Sequence, residues 1–334
     1  MIFTASSAQR NCGENTKVDF IILSFNRAEE TVLAIESALS QRGIDANVIV
    51  VDQGSRADCV QSLYDTYGNH HRVTIKALGR NTGVAGGRNI ASRLGTAPFI
   101  IALDNDAEFA TLNTAADAVK RMNEDPNLAA CGFRVLNYFS GEDDWSSWCY
   151  PVSQRRLSSS DFSTTQFCGC GHIIRRSFFE RVGAYDDALF FIGEEKDLCY
   201  RMINAGGRVQ YSGGIAVRHK VHPEQRVAWT GGRYYYSVRN TLYLRYKYRF
   251  GAWNILLSAM GWTAKGAYNG LLGSALRGVK DAILMAARFE RHADKRYCRL
   301  SNAAKSHIMA IEGANAKASF PAKVSRQFVK LGRY

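Results

Sequence analysis

The sequence predicts an α/β protein with a mostly parallel central sheet, helices on both faces of that sheet, and a basic helical extension at the C-terminus. Two observations carry this prediction. Short apolar, β-rich runs alternate with segments of helical periodicity over the first two thirds of the chain, and this alternation is typical of parallel sheets covered by helices. In the last third acidic residues nearly vanish, and aromatic and basic residues interleave at helical spacing.

The alternating segments follow one another in chain order. Strands are predicted at 18–23, 47–51, 73–78, 98–103 and 128–135, and helices at 29–39, 59–67, 83–94 and 194–206. The strands are continuous apolar runs, which is typical of strands buried on both faces. Residues 137–166 are polar and aromatic, and we interpret them as a long excursion from the sheet.

Charge is distributed unevenly along the chain. Residues 1–227 carry 24 basic and 26 acidic residues, whereas residues 228–334 carry 19 basic and 4 acidic ones. This asymmetry favours a polyanionic partner, either an anionic membrane surface or nucleic acid, and the alternative is a solvated basic face. We therefore divide the chain into a polar lead-in (1–17), an α/β domain (18–227) and a basic helical region (228–334).

Several classes of protein are disfavoured. The eight cysteines are scattered without a C-x-x-C pair, which argues against a zinc site and a disulfide framework and favours free thiols in a reducing cytosol. We find no signal peptide and no apolar run of membrane-spanning length. The short apolar segments 253–260 and 281–289 suit amphipathic helices at a membrane surface, or a helical cap packed on the α/β domain.

Polar residues stand where three predicted strands end. They are Ser24-to-Arg27, Asp52-to-Ser55 and Asp104-to-Asp106. Ligands of parallel sheets bind beyond the carboxyl ends of the strands, so we expect one shared site there. Asp104 and Asp106 lie two residues apart on a turn, and their oxygens suit Mg²⁺ or Mn²⁺ bridging to a diphosphate.

Seven short motifs succeed one another along the chain. They are ILSFNR at 22–27, VVDQGS at 50–55, NTGVAGGRN at 81–89, LDND at 103–106, GAYD at 183–186, GEEKDLCYR at 193–201 and VRH at 217–219. Together they resemble the family 2 glycosyltransferases of the GT-A fold, over roughly residues 18–250. The resemblance implies an inverting transfer of a sugar from a nucleotide diphosphate to an acceptor.

The resemblance also implies roles for the matched residues. Those that would bind the nucleotide sugar are Ser24, Asn26, Arg27, Asp52, Gly83, Arg88, Asn89, Asp104 and Asn105. Mn²⁺ or Mg²⁺ would be held by Asp104, Asp106 and His219, with His222 close enough to compete. The alternative for Asp52 is a structural turn in which it caps the following helix. Trp145 and Trp148 suit a sugar face or the core equally.

The acidic pair Glu194-Glu195 stands where the family usually has Glu-Asp. The second acid is normally the catalytic base, and here that position is Glu195, one methylene longer than Asp. The base is therefore Glu195 or Glu194, and the alternative is two surface glutamates in the first turn of a helix. Asp197 and Arg201 are spaced to form a structural pair.

These features predict a metal-dependent, inverting hexosyl- or deoxyhexosyltransferase on the cytoplasmic face of the inner membrane. The segment YYYSVRN at 234–240 resembles rhamnosyl- and other polysaccharide-assembly transferases, whose acceptors are often lipid-linked. We therefore expect a UDP- or dTDP-sugar donor, a glycan or lipid-linked acceptor and an anionic membrane surface as partners, with no nucleic acid.

Three other classes of function are left open. The first is a non-catalytic GT-A binding or scaffold protein. The second is a nucleic-acid-binding protein acting through its basic third, although no recognisable module frames that region. The third, a nucleotidyltransferase, would normally show a different phosphate-binding loop.

Overall fold

The computed structural model describes residues 15–220, 231–292 and 297–313. The strands are β1 (Thr16–Ser24), β2 (Ile44–Asp52), β3 (Val73–Ala77), β4 (Phe99–Asp104), β5 (Ala107–Phe109), β6 (Leu128–Asn137), β7 (Phe162–Ser163), β8 (Gly171–Arg175) and β9 (Arg208–His219). The helices are α1 (Ala28–Leu39), α2 (Ala57–Tyr67), α3 (Gly83–Leu94), α4 (Thr114–Glu124), α5 (Arg176–Arg181), α6 (Glu194–Asn204), α7 (Gly231–Lys247), α8 (Ala252–Tyr268), α9 (Leu272–His292) and α10 (Asn302–Gly313).

The strands of these ranges form one sheet in the order β3-β2-β1-β4-β8-β6-β9-β5, with β7 paired to β9. The first four strands of this order are parallel. β8 runs antiparallel to both of its neighbours, and β6 and β9 are again parallel. The predicted fold class is confirmed.

Helices cover both faces of the sheet. On one face Val18, Phe20 and Ile22 of β1 belong to a core shared with α1, α2 and α4. On the other face Ile21 belongs to a core shared with α3, α5, α6 and α10. Because both faces are buried, residues 18–23 of β1 are all apolar except Asp19, and this part of the strand is a nearly continuous apolar run.

Some boundaries and elements differ from the predictions. Thr16 and Lys17, placed in the lead-in, pair with Ile44 and Asp45 and belong to β1. Helices α4 and α5 and strands β5, β7 and β8 were not predicted from the sequence. Residues 1–14 and the predicted boundary at 227/228 lie outside the described residues, as does His222.

The C-terminal region is helical, as predicted, and packs on the α/β domain. α7, α8 and α9 share a small core that includes Tyr234, Val238 and Ala275. α10 returns to the domain, where Ala304 and Ile308 join the core beside α6. None of the described helices combines the length and the apolar character that crossing a membrane requires.

A buried ion pair joins β1 to the start of α5. Asp19 is fully buried, and its Oδ2 lies 2.7 Å from Nη2 of Arg176. The same oxygen accepts a hydrogen bond from the backbone of Ala97 at 2.8 Å. Arg176 donates further to the carbonyls of Ser92 and Ala97, at 2.8 and 2.5 Å. The pair therefore fixes α5 against the edge of the sheet that lies opposite the polar strand ends.

We predict that Arg176→Ala lowers the free energy of unfolding by about 3–5 kcal/mol, because it leaves the Asp19 carboxylate buried without its counter-charge. Urea denaturation measures this loss. Arg56→Ala is the matched control, since Arg56 and its partner Asp58 are both exposed; it should leave stability nearly unchanged. Equal losses in the two variants would contradict the prediction.

Candidate active site

Three parallel strands end together at one edge of the sheet. Ser24 of β1 lies opposite Asp52 of β2, and Leu23 lies opposite Asp104 of β4. The polar residues that the sequence placed at these ends are therefore neighbours. This is the position at which parallel sheets bind their ligands.

The loop after β1 is tied to the loops after β2 and β4. The backbone of Asn26 donates to Oγ of Ser55 at 2.8 Å. Nη1 of Arg27 lies 2.5 Å from Oδ2 of Asp106. Asn26 adopts a left-handed backbone conformation (φ 56°), which asparagine tolerates better than most residues. The three loops thus form one continuous rim.

A cleft of about 1060 Å³ opens beside this rim. Seven of the predicted site residues line it: Arg27, Arg88, Asp104, Asp106, Glu194, Glu195 and His219. The cleft is also lined by residues of α7, including Asn240, Thr241 and Arg245. The α/β domain and the C-terminal helices therefore share one site.

Arg88 occupies the centre of the site with 3% of its surface exposed. Its Nη1 donates to Oε1 of Glu195 at 3.0 Å, and its Nη2 donates to the carbonyl of Gly169 at 2.8 Å. Nη2 also lies 3.4 Å from Oδ1 of Asp104. Burial opposes its charge, but Tyr185, Glu195 and Asp104 raise the pKa of Arg88 above its ordinary value. The guanidinium is thus a permanent cation between two carboxylates.

His219 is the last residue of β9 and is held by acids on both sides. Its Nε2 lies 3.4 Å from Oδ1 of Asp106, and its Nδ1 lies 3.1 Å from Oδ2 of Asp144. Burial alone would lower the pKa of His219, but the hydrogen bonds to Asp106 and Asp144 raise it to about 10. Without a bound cation the imidazole therefore carries a proton. Asp144 was not predicted, because only the tertiary fold brings it to His219.

The residues at this end of the cleft fit a divalent cation. Asp104, Cys170 and His219 offer ligand atoms that lie within 4.8 Å of one another. Asp106 lies beside them, in contact with His219. Two carboxylates and an imidazole are a suitable donor set for Mn²⁺. Cys170 is a poor ligand for such a hard cation, since burial raises the pKa of its thiol well above the ordinary value.

The two glutamates that begin α6 have different surroundings. Glu194 is buried, and its Oε2 has no hydrogen-bond partner among the described residues. Burial, and then the charge of Glu195, raise the pKa of Glu194 well above its ordinary value. Glu195 pairs with Arg88, and 16% of its side chain is exposed. The pair thus consists of a buried acid whose charged form is disfavoured and a second acid held in the cleft by Arg88.

The loop that leads into α6 has an unusual backbone conformation. Phe190, Ile192 and Gly193 all have positive φ angles, of 61°, 71° and 95°, and this region is strained for a β-branched residue such as isoleucine. Asn240 of α7 donates from its Nδ2 to three carbonyl oxygens of the loop, at 2.6 to 2.9 Å. The position of the acidic pair therefore depends on α7.

Gly83 supports the same loop from the start of α3. Its φ is 77°, and a Cβ on it would lie 2.4 Å from the carbonyl oxygen of Phe190. The backbone of Val84 donates to that oxygen at 2.7 Å. A residue with a side chain at position 83 would push the loop away, so the glycine there has a packing role.

The remaining predicted donor-binding residues make internal hydrogen bonds. Asp52 is buried, and its Oδ1 accepts from the backbones of Gly54 and Ser55 at 3.0 and 2.9 Å. It holds the turn before α2, which begins at Ala57 without a side-chain cap from its N-cap residue. The role of Asp52 at a nucleobase stays a prediction.

The side-chain amide of Asn89 makes two hydrogen bonds to the backbone of Tyr185. Its Nδ2 donates to the carbonyl oxygen at 2.9 Å, and its Oδ1 accepts from the backbone N–H at 3.0 Å. Ser24 and Asn105 both hydrogen-bond Thr31, at 3.2 and 3.3 Å. These three residues are neighbours of the cleft that hold its walls together. Their contact with a donor stays a prediction.

One contact across the cleft could not be predicted from the sequence. Oε1 of Glu312, on α10, lies 2.9 Å from Nζ of Lys196 and 2.7 Å from the hydroxyls of Tyr200 and Thr165. A helix from the end of the chain thus reaches the far wall of the cleft. No local pattern links residue 312 to residue 196.

The two tryptophans of the excursion both line the cleft but differ in surroundings. Trp145 is exposed, and the guanidinium of Arg155 lies 4.9 Å from its ring. Trp148 packs edge-on against Tyr150 and Tyr211. The sequence left their role open, and the structure places Trp148 in an aromatic cluster and Trp145 at the surface.

Comparison with known proteins shows which family the chain resembles. Residues 19–183 match the model of glycosyl transferase family 2. The chain is 28% identical to the pre-mycofactocin glycosyltransferase of Mycobacterium tuberculosis over 204 residues, which are 59% of this chain and 42% of that protein. It is 24% identical to the dTDP-rhamnosyl transferase RfbF of Shigella flexneri over 252 residues, 69% of this chain and 80% of that one.

The fold is also that of a solved structure. The crystal structure of GalNAc-T7 with UDP, GalNAc and Mn²⁺ superposes with a TM-score of 0.64 at 18% identity, covering 93% of this chain and 59% of that chain. Residues 19–183, just under half of the chain, match glycosyl transferase family 2, and the chain has the predicted GT-A fold, so the resemblance drawn from the motifs is confirmed. The chain spans less than half the length of the mycobacterial relative.

We predict that Asn240→Ala lowers the free energy of unfolding by about 2 kcal/mol, because the half-buried carbonyls of Phe191 and Ile192 lose this donor. Turnover should fall with it, since the loop that positions the acidic pair is released. Asn254→Ala is the control, because exposed Asn254 makes one hydrogen bond, to Phe250. Chemical denaturation and rate measurements on both variants check this; wild-type stability in Asn240→Ala would refute it.

Proposed function

We propose that this protein is a metal-dependent, inverting glycosyltransferase that moves a sugar from a nucleotide diphosphate to an acceptor hydroxyl. One observation carries the proposal. A single cleft holds a carboxylate–imidazole cluster at one end and a separate carboxylate, Glu195, across Arg88 from it. A transferase that ejects a diphosphate needs a cationic end for the leaving group and a base for the nucleophile.

The donor occupies the rim formed by the loops after β1, β2 and β4. Asp104, Asp106 and His219 would hold Mn²⁺ or Mg²⁺, and the cation when bound neutralises charge on the departing diphosphate. Arg27 and Arg88 add positive charge beside the same carboxylates. Similarity to a structure that holds UDP and Mn²⁺ supports a UDP-sugar, and similarity to a dTDP-rhamnosyl transferase supports a dTDP-sugar.

Glu195 acts as the base. It takes the proton from the acceptor hydroxyl as that oxygen forms a bond to the anomeric carbon, while the bond from that carbon to the diphosphate oxygen breaks on the opposite face. Glu194 is less suited to this role, because it is buried and burial raises its pKa well above the ordinary value. Arg88 holds Glu195 in place through one oxygen.

The acceptor is a glycan or a lipid-linked saccharide of cell-surface polysaccharide biosynthesis, and the enzyme is peripheral on the cytoplasmic face of the inner membrane. The basic C-terminal region supports this location, since residues 228–334 carry 19 basic and 4 acidic residues. Similarity to a dTDP-rhamnosyl transferase of Shigella flexneri supports a deoxyhexose as the transferred unit. The transferred unit is a hexose or a deoxyhexose.

We predict that a panel of nucleotide sugars will contain at least one that raises the melting temperature by several degrees in the presence of Mn²⁺, since a ligand at about 100 times its Kd adds ~2.7 kcal/mol of stability. The matching sugar should be slowly hydrolysed. In Asp106→Asn the Mn²⁺-dependent shift and the hydrolysis should both be lost while the variant stays folded. Full hydrolysis by Asp106→Asn with Mn²⁺ would refute the metal assignment.

We predict opposite results for the two glutamates. Glu195→Gln removes the base and should lower kcat by about 10²–10⁴-fold with little change in donor affinity. Glu194→Gln keeps the shape of a side chain whose charged form burial already disfavours, and this variant should retain most activity. Steady-state kinetics with the donor found above measures both. Loss of activity in Glu194→Gln alone would reverse the assignment.

A further inference from the structure

Helix α8 presents an apolar stripe to solvent. Trp253, Leu256, Leu257 and Met260 are 69%, 49%, 47% and 59% exposed. Their spacing is that of one face of a helix, because residues three and four apart lie above one another. Four large apolar side chains on one helical face form a patch rather than a scatter of single exposed residues.

The other face of α8 is already used in packing. Ile255, Ala259 and Trp262 contact the core shared with α7 and α9. The hydroxyl of Tyr234 donates to the carbonyl of Trp262 at 2.6 Å. The stripe is therefore held in place on a folded helix, and it is a separate surface from the one that anchors the helix.

The helices around the stripe are strongly basic. Residues 231–292 contain ten basic residues and two acidic ones. One of those acids, Asp281, accepts a hydrogen bond from Tyr235 at 2.6 Å. An apolar face on a basic helical unit complements an anionic lipid surface. A second copy of this chain would bring like charge against it.

The stripe begins close to the mouth of the cleft. Arg245 and Phe250 line the cleft, and Phe250 is exposed. Trp253 follows three residues later, after Gly251 turns the chain into α8. A surface that receives the stripe would therefore lie beside the opening through which an acceptor enters.

We propose that the stripe formed by Trp253, Leu256, Leu257 and Met260 inserts into the interface of an anionic bilayer and sets the mouth of the cleft against it. The membrane contact stands on the exposed stripe and the charge around it. Its consequence, that the acceptor is drawn from the membrane as a lipid-linked molecule, rests on the proposed function.

The experiment is co-sedimentation of the full chain with vesicles of phosphatidylcholine, with and without phosphatidylglycerol. The wild type should bind the mixed vesicles and bind pure phosphatidylcholine at least tenfold less, and binding should weaken as salt increases. The triple variant Leu256→Ser, Leu257→Ser, Met260→Ser should bind the mixed vesicles at least tenfold less than the wild type. Undiminished binding of this variant would overturn the proposal.

A matched control removes exposed apolar side chains elsewhere. Leu33, Leu94 and Leu112 are exposed to a similar degree on the α/β domain, and their triple serine variant should bind vesicles as the wild type does. Brominated lipid in the mixed vesicles provides a measurement that needs no change to the leucines. It should quench a component of the tryptophan emission that is absent in Trp253→Phe. Equal quenching in the two proteins would count against insertion.

Hydrolysis of the donor separates this proposal from the proposed function. If the stripe variant loses vesicle binding and hydrolyses the donor as fast as the wild type does, both the membrane contact and the proposed function are supported. Vesicle binding without donor hydrolysis in the wild type refutes the proposed function and leaves the membrane contact standing. If the wild type instead ignores vesicles and forms a dimer that the stripe variant abolishes, the stripe is an interface between two copies and the proposal fails.

Discussion

The buried guanidinium of Arg88 is the contact on which the rest of the site depends. It joins Asp104, at the end of a parallel strand, to Glu195, at the start of a helix 91 residues further along the chain. Without this cation two acids would lie in the same poorly solvated cleft with nothing to offset their repulsion. The carbonyl of Gly169 fixes the third side of the guanidinium. The proposed donor end and the proposed base therefore keep one spacing, which transfer between two substrates would require.

Buried polar contacts with α6 also make the C-terminal helices part of the site. Asp197 of α6 joins this helix to α7. It is fully buried and lies 2.7 Å from both Arg201 of the same helix and Lys247. Burial alone would raise the pKa of Asp197, but the charges of Arg201 and Lys247 lower it to about 2. Lys247 belongs to α7, as does Asn240. The predicted Asp197–Arg201 pair is thus real, and its third member comes from the region that the sequence marked only as basic.

What the sequence could predict was local. Strands such as β1 and β4 are short apolar runs with polar residues directly after them, so Ser24 and Asp104 were placed correctly at the sheet edge. Contacts set by tertiary packing left no such pattern: Asp144 meets His219 across 75 residues. Glu194 and Glu195 are identical and adjacent, and only the tertiary fold buries the first and pairs the second with Arg88. Helix α4 is short and its buried face consists largely of small residues such as Ala115 and Ala118, so its apolar content did not stand out in the sequence.

The charges at the rim of the cleft bear on how a diphosphate and a divalent cation would bind together. Three carboxylates (Asp104, Asp106 and Asp144) lie around the imidazole of His219, and two of them pair with Arg27 and Arg88. A diphosphate entering this end of the cleft alone would lie beside these carboxylates and be repelled by them. In the proposed function Asp104, Asp106 and His219 would hold a divalent cation, which would take the place of the imidazole proton and add positive charge for the diphosphate. Hydrogen bonds to Asp106 and Asp144 raise the pKa of His219 to about 10 against the effect of burial, so the cluster attracts positive charge, and a bound metal ion would use that attraction.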